Sequence, residues 1–331
     1  MKKTNDAFPD KEHQATIIQA HLDPELDGLL EQHHKDRFEW FPSEHLPCSH
    51  NMTSSQEEEL HDFKQQCQQL PDSMRVAMVL NLLTEEGLPS YHRLLHEAFG
   101  ENSDWCVWAN QWTAEEDRHG NILRDIIRDT RLVDFTAVEK MQFDFVADGF
   151  APDWSGDAYA TIAYTSFQER ATQISHRNLG KIIRPHAPRL TKVFACIAGD
   201  ESRHYKFYAS MLKTLVDVDV KGALESMLRV LGSFKMPGHN IAGFSEMSLV
   251  EHSLNIFGPK EFSEAINDVI KFTGLDKLTH LDTYCEELRQ KVYAYPTRLL
   301  RFHEKLYNRV KEKASKLKFD FLDSNGNGLL T

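Results

Sequence analysis

Two copies of the pattern Glu-x-x-His stand far apart in the chain, at Glu116/His119 and Glu201/His204. Each follows another glutamate: Glu85 precedes Glu116 by 31 residues, and Glu169 precedes Glu201 by 32. Residues i and i+3 of an α-helix lie ~60° apart on one face and ~4.5 Å apart along the axis, so a carboxylate and an imidazole at that spacing can reach one metal ion. Two such pairs, with carboxylates from two further helices to bridge or cap the ions, are the ligand set of a carboxylate-bridged di-iron centre. The candidate ligands are Glu85, Glu116, His119, Glu169, Glu201 and His204.

Four helices must position such a set. An interval of this length runs from the middle of one long helix, round a loop, to the middle of its antiparallel partner. The chain therefore reads as two similar helix hairpins in an all-α, ferritin-like di-iron helix bundle with additional flanking helices. A lone Glu-x-x-His is ordinarily a surface charge pair, but the surroundings argue otherwise. Trp105, Val107, Trp108, Trp112, Ile122, Leu123 and Ile126 flank the first motif, and Val193, Phe194, Cys196, Ile197, Phe207 and Met211 the second, as in buried helices. Buried carboxylates need a metal or paired cations to offset their desolvation. Arg118 or Arg203 could pair with one of the six, not with all. An anionic, oxygen-rich set with two imidazoles suits iron or manganese rather than zinc, with dioxygen activation as the leading use.

Four runs make the pattern more specific: Thr84 to Pro89 (TEEGLP), Trp112 to Gly120 (WTAEEDRHG), Tyr164 to Thr172 (YTSFQERAT) and Asp200 to His204 (DESRH). They resemble the acyl-acyl-carrier-protein desaturases, the soluble stearoyl type of plant plastids and some bacteria. Trp40-Phe41-Pro42 and Lys235 to His239 (KMPGH) extend the likeness over roughly residues 20 to 320. The resemblance implies two iron ions on the six ligands, a saturated acyl chain on acyl carrier protein as substrate, ferredoxin as electron donor, a cis double bond as product, and a homodimer. It implies an oxygen-side hydroxyl at Thr172, one turn from a bridging glutamate at Glu169; an ordinary helix threonine bonding back to a carbonyl is the alternative. It also implies a relay from a surface tryptophan, Trp40, through a buried aspartate, Asp200, to His119. Departures lie at Thr161-Ile162, where the plant enzymes carry a Gly-Phe pair at the deep end of the acyl pocket, and at His92, His96 and Glu97. These put chain length and double-bond position in question and leave the metal ligands alone.

Composition bounds the rest. The 331 residues are 41% hydrophobic and 27% charged, enough to bury a sizeable core. We expect one domain, 1-331, with a loosely held N-terminus over 1-20, a four-helix core over 73-214, a helical extension over 238-320 and a tail over 321-331. Expected helices cover about 54 to 69, 73 to 99, 103 to 129, 134 to 146, 157 to 184 and 188 to 214, with shorter ones after Pro237-Gly238 to about 317. No apolar run is long enough to span a membrane, and the first residues resemble neither a signal core nor a transit peptide. A cytoplasmic protein follows, with a bacterial source favoured over a plastid one, and no role in binding nucleic acid or membrane. Five scattered cysteines without Cys-x-x-Cys suggest reduced core thiols. Asp323 to Gly328 imitates half of a calcium loop but lacks the closing glutamate, so it is read as tail.

The net charge of −12 sits oddly with an acidic carrier as partner. Distribution resolves this, because Arg170 to Gly199 contains no acidic residue. Arg177, Lys181, Arg184, Arg189 and Lys192 are the candidate carrier-binding residues, with Arg170 in the same patch; helix C-terminal cations satisfying the dipole are the alternative. The basic stretch from Arg298 to Lys318 is a second candidate. Three rival readings fit less well. A radical-generating reductase subunit would need a tyrosine where Leu123 stands, an iron-storage or peroxide-scavenging protein would need only a shorter bundle, and a non-enzymatic carrier-binding homologue would not need six intact ligands.

Overall fold

Three of the four central helices are apolar towards both ends and polar at the middle, the fourth is polar at its C-terminal end, and that pattern sets the architecture. The computed structural model describes residues 11–46, 51–234, 236 and 238–322. Its central helices are α4 (Asp72–Glu85), α6 (Trp105–Asp129), α8 (Ala158–Ile183) and α9 (Pro188–Val218). Trp105 to Trp112 of α6, Tyr159 to Phe167 of α8 and Tyr205 to Val216 of α9 contribute to one buried apolar cluster. Ile122 to Ile127 of α6, Leu179 and Ile183 of α8, Leu190 to Ile197 of α9 and Val76 to Leu83 of α4 contribute to another. The polar middles lie between. It follows that α6 and α8 run in one direction and α4 and α9 in the other, so that the centres of α6, α8 and α9 meet the C-terminal end of α4 in a single layer.

Local chemistry fixes the helix ends. Asp157 caps α8 by accepting from the Ala160 amide at 3.0 Å, and Pro188 occupies the first turn of α9, where a missing N–H costs nothing. Between these two helices a Cβ added at Gly180 would stand 2.9 Å from Phe194 Cβ, so a glycine is what lets the hairpin close. Around the core lie α1 (Lys11–Ile17), a π-turn (Ile18–Leu22), α2 (Asp23–Asp36), α3 (Ser54–Gln68), α5 (Leu88–Phe99), α7 (Phe135–Asp148), α10 (Val220–Gly232), α11 (Phe244–Ser253), α12 (Pro259–Phe272) and α13 (Thr283–Ala314). No strand occurs among the described residues, and no described helix is long and apolar enough to cross a membrane.

The structure departs from the sequence reading at several points. The helix expected over 73 to 99 is two, α4 and α5, because Pro89 has no N–H to give the Glu85 carbonyl and its ring would clash there. The segment before residue 20 is helical from Lys11 and anchored: Gln14 donates to Asp157 at 3.2 Å, and Trp105 Nε1 holds Asp23 at 2.9 Å. The short helices expected near the C-terminus include one of 32 residues, α13, which continues through Pro296 while packed along α10, α11 and α12. The expected tail begins later than residue 321, since Phe321 is buried and its carbonyl accepts from the Asp134 amide at 2.7 Å. Of the thiols, Cys67 and Cys285 are buried, whereas Cys106 and Cys196 are only half-buried. Val107, expected in the apolar surround, faces outward. Cys48, Lys235, Pro237 and the calcium-loop-like Asp323 to Gly328 lie outside the described residues.

Candidate metal centre

The six residues singled out by spacing converge on the polar layer. Glu85 is the last residue of α4, Glu116 and His119 lie at the middle of α6, Glu169 at the middle of α8, and Glu201 and His204 at the middle of α9. Their ligand atoms form two groups, each with all atoms within 4.8 Å of one another: Glu85, Glu116, His119 and Glu201, and Glu116, Glu169, Glu201 and His204. Glu116 and Glu201 are shared, one from each Glu-x-x-His motif. The geometry therefore makes these two the bridging candidates. Glu169, expected to bridge, belongs to one group only, because it enters from the side of α8 as Glu85 does from α4.

The imidazoles are aimed. His119 Nδ1 lies 3.3 Å from both Glu116 Oε2 and Glu201 Oε1, and His204 Nδ1 lies 2.8 Å from Glu116 Oε1. Neither Nδ1 has a hydrogen-bond partner, nor do the buried Glu116 Oε1 and Glu169 Oε2. Four orphaned donor atoms pointing at common points are what a metal site requires, and buried polar atoms otherwise find partners. Each Nε2 is held from behind by a carboxylate: His119 by Asp200 at 3.0 Å and His204 by Glu115 at 3.0 Å. This arrangement keeps the proton on Nε2 and turns the Nδ1 lone pair inward. The two cations that could have paired with ligands do not, since Arg118 and Arg203 both donate to Asp200.

Electrostatics carry the same message. Burial, and then the Glu201 charge, push the Glu169 carboxyl well above its ordinary range and Glu116 upward as well. Burial opposes ionisation of Glu201 too, but the two imidazoles beside it hold it well below. Burial likewise disfavours charging the imidazoles; Glu116 and Asp200 around His119, and Glu115 and Glu116 around His204, nevertheless hold both protonated well above their usual range. By themselves the side chains gather protons to offset their own charge. Two divalent cations balance four carboxylates with none to spare, so the donor set fits a dinuclear centre whose binding releases those protons.

Sequence spacing missed the supporting residues. Glu115 is buried between His204 and His33, whose Nε2 lies 3.0 Å from it. His176 Nε2 holds Glu85 at 2.8 Å, and Trp112 Nε1 donates to Glu169 at 3.0 Å. One signal was present: an acid stands directly before each motif glutamate, Glu115 before Glu116 and Asp200 before Glu201. Each braces the histidine of the other motif.

Thr172 Oγ1 lies 3.1 Å from Glu201 Oε2, and also 3.1 Å from the carbonyls of Gln168 and Glu169. Trp40 Nε1 donates to Asp200 at 2.8 Å, completing a bonded line to His119. Trp40 is not a surface residue, however. It is wholly buried under Arg118, whose guanidinium lies 5.2 Å from its ring, while its neighbours Phe38 and Phe41 are exposed. The basic patch is thinner than the sequence suggests. Arg170 pairs with Asp268 at 2.6 Å and Arg177 with Glu264 at 3.0 Å, both acids of α12, and Arg189 lies over the Phe63 ring. Lys181, Arg184 and Lys192 are exposed, with no ion pair among the described residues.

A cavity of about 410 Å³ reaches the layer from the surface. Exposed His239 and Ser245 mark its mouth, Leu80, Leu249 and Phe257 its apolar wall, and Thr84 and Thr172 its inner end beside the ligands. One buried acid interrupts that wall. Glu251 accepts from Asn81 at 2.7 Å and is pushed up to about 8 by burial, which favours its neutral form.

The sequence profile of the fatty acid desaturase family matches residues 14–323. The chain is 30% identical over 300 residues to a chloroplastic stearoyl-acyl-carrier-protein 9-desaturase of Olea europaea, covering 86% of this chain and 76% of that one. It is 34% identical over 262 residues to the provisionally assigned acyl-acyl-carrier-protein desaturase DesA1 of Mycobacterium tuberculosis, covering 76% and 75%. Among solved structures, the X-ray structure of DesA2 from Mycobacterium tuberculosis H37Rv, provisionally assigned to the same class, superposes with a TM-score of 0.59. It is 21% identical, over 81% of this chain and 97% of that one, and shows the same helical fold.

Metal analysis tests the ligand set. The parent protein is expected to hold two irons per chain, and Glu116→Ala and His204→Ala to lose metal while keeping their helical circular dichroism. Glu115→Ala, which only frees His204 to turn, is expected to weaken binding ~10–100-fold. Full occupancy in Glu116→Ala and His204→Ala would refute the assignment.

Proposed function

The chain belongs to the fatty acid desaturase family, and from that premise we propose that it desaturates a saturated acyl chain carried on acyl carrier protein, using dioxygen and a two-iron centre. The observation that carries this reading is the conjunction of six buried ligand side chains with an apolar cavity ending at Thr84 and Thr172, against the same ligands. An iron store needs no such cavity. The reaction removes two hydrogens from adjacent methylenes and reduces dioxygen to two waters, with two electrons and two protons from a donor. When bound, the iron pair supplies the reduction of dioxygen.

The chain's own residues do the rest. The apolar wall holds the acyl chain dry against the ligand layer. Glu115 and Asp200 fix the imidazoles, so the ligand geometry survives turnover. Thr172 offers its single proton either to backbone carbonyls or towards Glu201, and we assign it the second role, a hydrogen bond at the oxygen side of the centre. Electrons from a ferredoxin-type donor enter at the exposed Phe38 and Phe41 and pass through Trp40 and Asp200 to His119. A homodimer and a bacterial, cytoplasmic setting complete the reading.

The acidic carrier is placed at Lys181, Arg184 and Lys192, with Arg177 and Arg189 as supporting residues. Lys181 and Arg184 lie 12 and 15 residues beyond Glu169 on or just after α8, ~18 to 23 Å along the axis. Ser175 and His176 of the cavity wall are displaced from the ligand layer in the same direction along α8, which supports this choice of residues.

Aerobic single turnover of the reduced protein with acyl carrier substrates of several lengths should yield a monounsaturated product. Thr172→Val is expected to keep iron content and acyl binding but to slow turnover or raise peroxide release; unchanged rate and coupling would return Thr172 to a helix-bonding role. Reversing Lys181, Arg184 and Lys192 to glutamate should weaken carrier binding sharply at low salt. The difference should shrink as salt rises, since exposed charges are screened over ~8 to 10 Å. Loss that is equal at every salt concentration would point to damaged packing instead.

A further inference from the structure

The space around the ligand layer is strongly one-sided. On the side of α11 lies the open cavity of about 410 Å³. On the other side the same track continues through a gap of about 20 Å³ that shares Thr84 and Thr172 with the cavity, and then a pocket of about 10 Å³ that shares Tyr91 and Trp112 with the gap. Spaces of that size hold about one water-sized group each. Every residue lining the last pocket is buried, so it is a blind end and not a second mouth.

Aromatic rings make the closure. Tyr91 and Tyr164 stack with centroids 6.4 Å apart and their hydroxyls 3.3 Å apart, and Trp154 packs on Tyr164 at 4.8 Å. Trp112, which closes the gap beside them, is held by its bond to Glu169. Thr165 and Thr161, at the blind end, lie four and eight residues before Glu169 on α8, ~6 and ~12 Å along its axis. A chain threaded from the mouth therefore meets this wall within one to two helical turns of the ligands, with nearly all its room behind it.

We propose that this wall sets the site of reaction: the methyl end of the acyl chain stops against Tyr91, Trp154 and Tyr164, and the double bond enters within the last few carbons before that end. The inference rests on the desaturase reading and adds a position to it. Hydrogen is removed from adjacent methylenes next to the ligand layer, with the same balance of dioxygen, electrons and protons. The saturated segment between carrier and double bond is then the long one and the segment beyond it the short one.

The test is the position of the double bond in the products of the iron-loaded parent, read by mass spectrometry after derivatisation across a series of acyl carrier substrates. The expected product carries its double bond near the methyl end. Trp154→Leu and, separately, Leu95→Ala, which remove bulk from the blind end, should move the double bond about one or two carbons farther from the methyl end. Iron content should not change. A parent product with its longer saturated segment on the methyl side would overturn the inference and leave the desaturase reading intact. Failure to desaturate any acyl carrier substrate, at full iron content and with reductant present, would overturn both. If one variant fails to fold, the other and the parent's own product still decide.

Discussion

Four carboxylates and two imidazoles are gathered in a buried layer in which, among the described residues, no lysine or arginine pairs with any of the four carboxylates, and the rest of the structure answers to that constraint. Removing ionised carboxylates from water costs several kcal/mol each even after relaxation. Protein cations could have met the cost, yet the nearest two, Arg118 and Arg203, are drawn off by Asp200. What remains is a donor set whose charge matches two divalent metal ions and whose free lone pairs converge on two points sharing Glu116 and Glu201. The apolar clusters on either side of the layer lower the local dielectric, which strengthens every interaction inside it.

The support is cross-braced. The acid before each motif glutamate holds the imidazole of the opposite motif, so α6 and α9 fix one another's ligands. The two halves then differ in what lies behind. Behind Asp200 stand Trp40 and two arginines, next to exposed aromatic residues. Behind Glu115 stands the buried His33. One bracing scheme thus serves two ends, and only the His119 half continues in a bonded line to Trp40, beside the exposed Phe38 and Phe41.

How much of this could be read from the sequence depends on how local the governing rule is. That the six side chains would converge was legible because i,i+3 spacing and hairpin length are properties of single helices and pairs. The bracing by Glu115 and the contacts of His33 and His176 were not, because they depend on which helix lies beside which. Pro89 shows a local rule that was present and overlooked, ending α4 at a ligand. In α13 the reverse holds, since packing along three helices carries the chain through Pro296 against its local preference. The basic hairpin looked stronger in sequence than it is, because the acids that neutralise Arg170 and Arg177 come from α12, almost a hundred residues on. Trp40 was placed at the surface by resemblance, and its burial depends on Arg118 of a distant helix.

Under the proposed function, two metal ions would be held by these side chains, with Glu116 and Glu201 common to both groups of ligand atoms. The most direct measurement is the Mössbauer spectrum of protein loaded with ⁵⁷Fe and oxidised, taken at low temperature in an applied magnetic field. The account predicts an exchange-coupled pair with a diamagnetic ground state, accounting for nearly all the iron. A spectrum dominated by magnetically split, isolated high-spin ferric ions would contradict it.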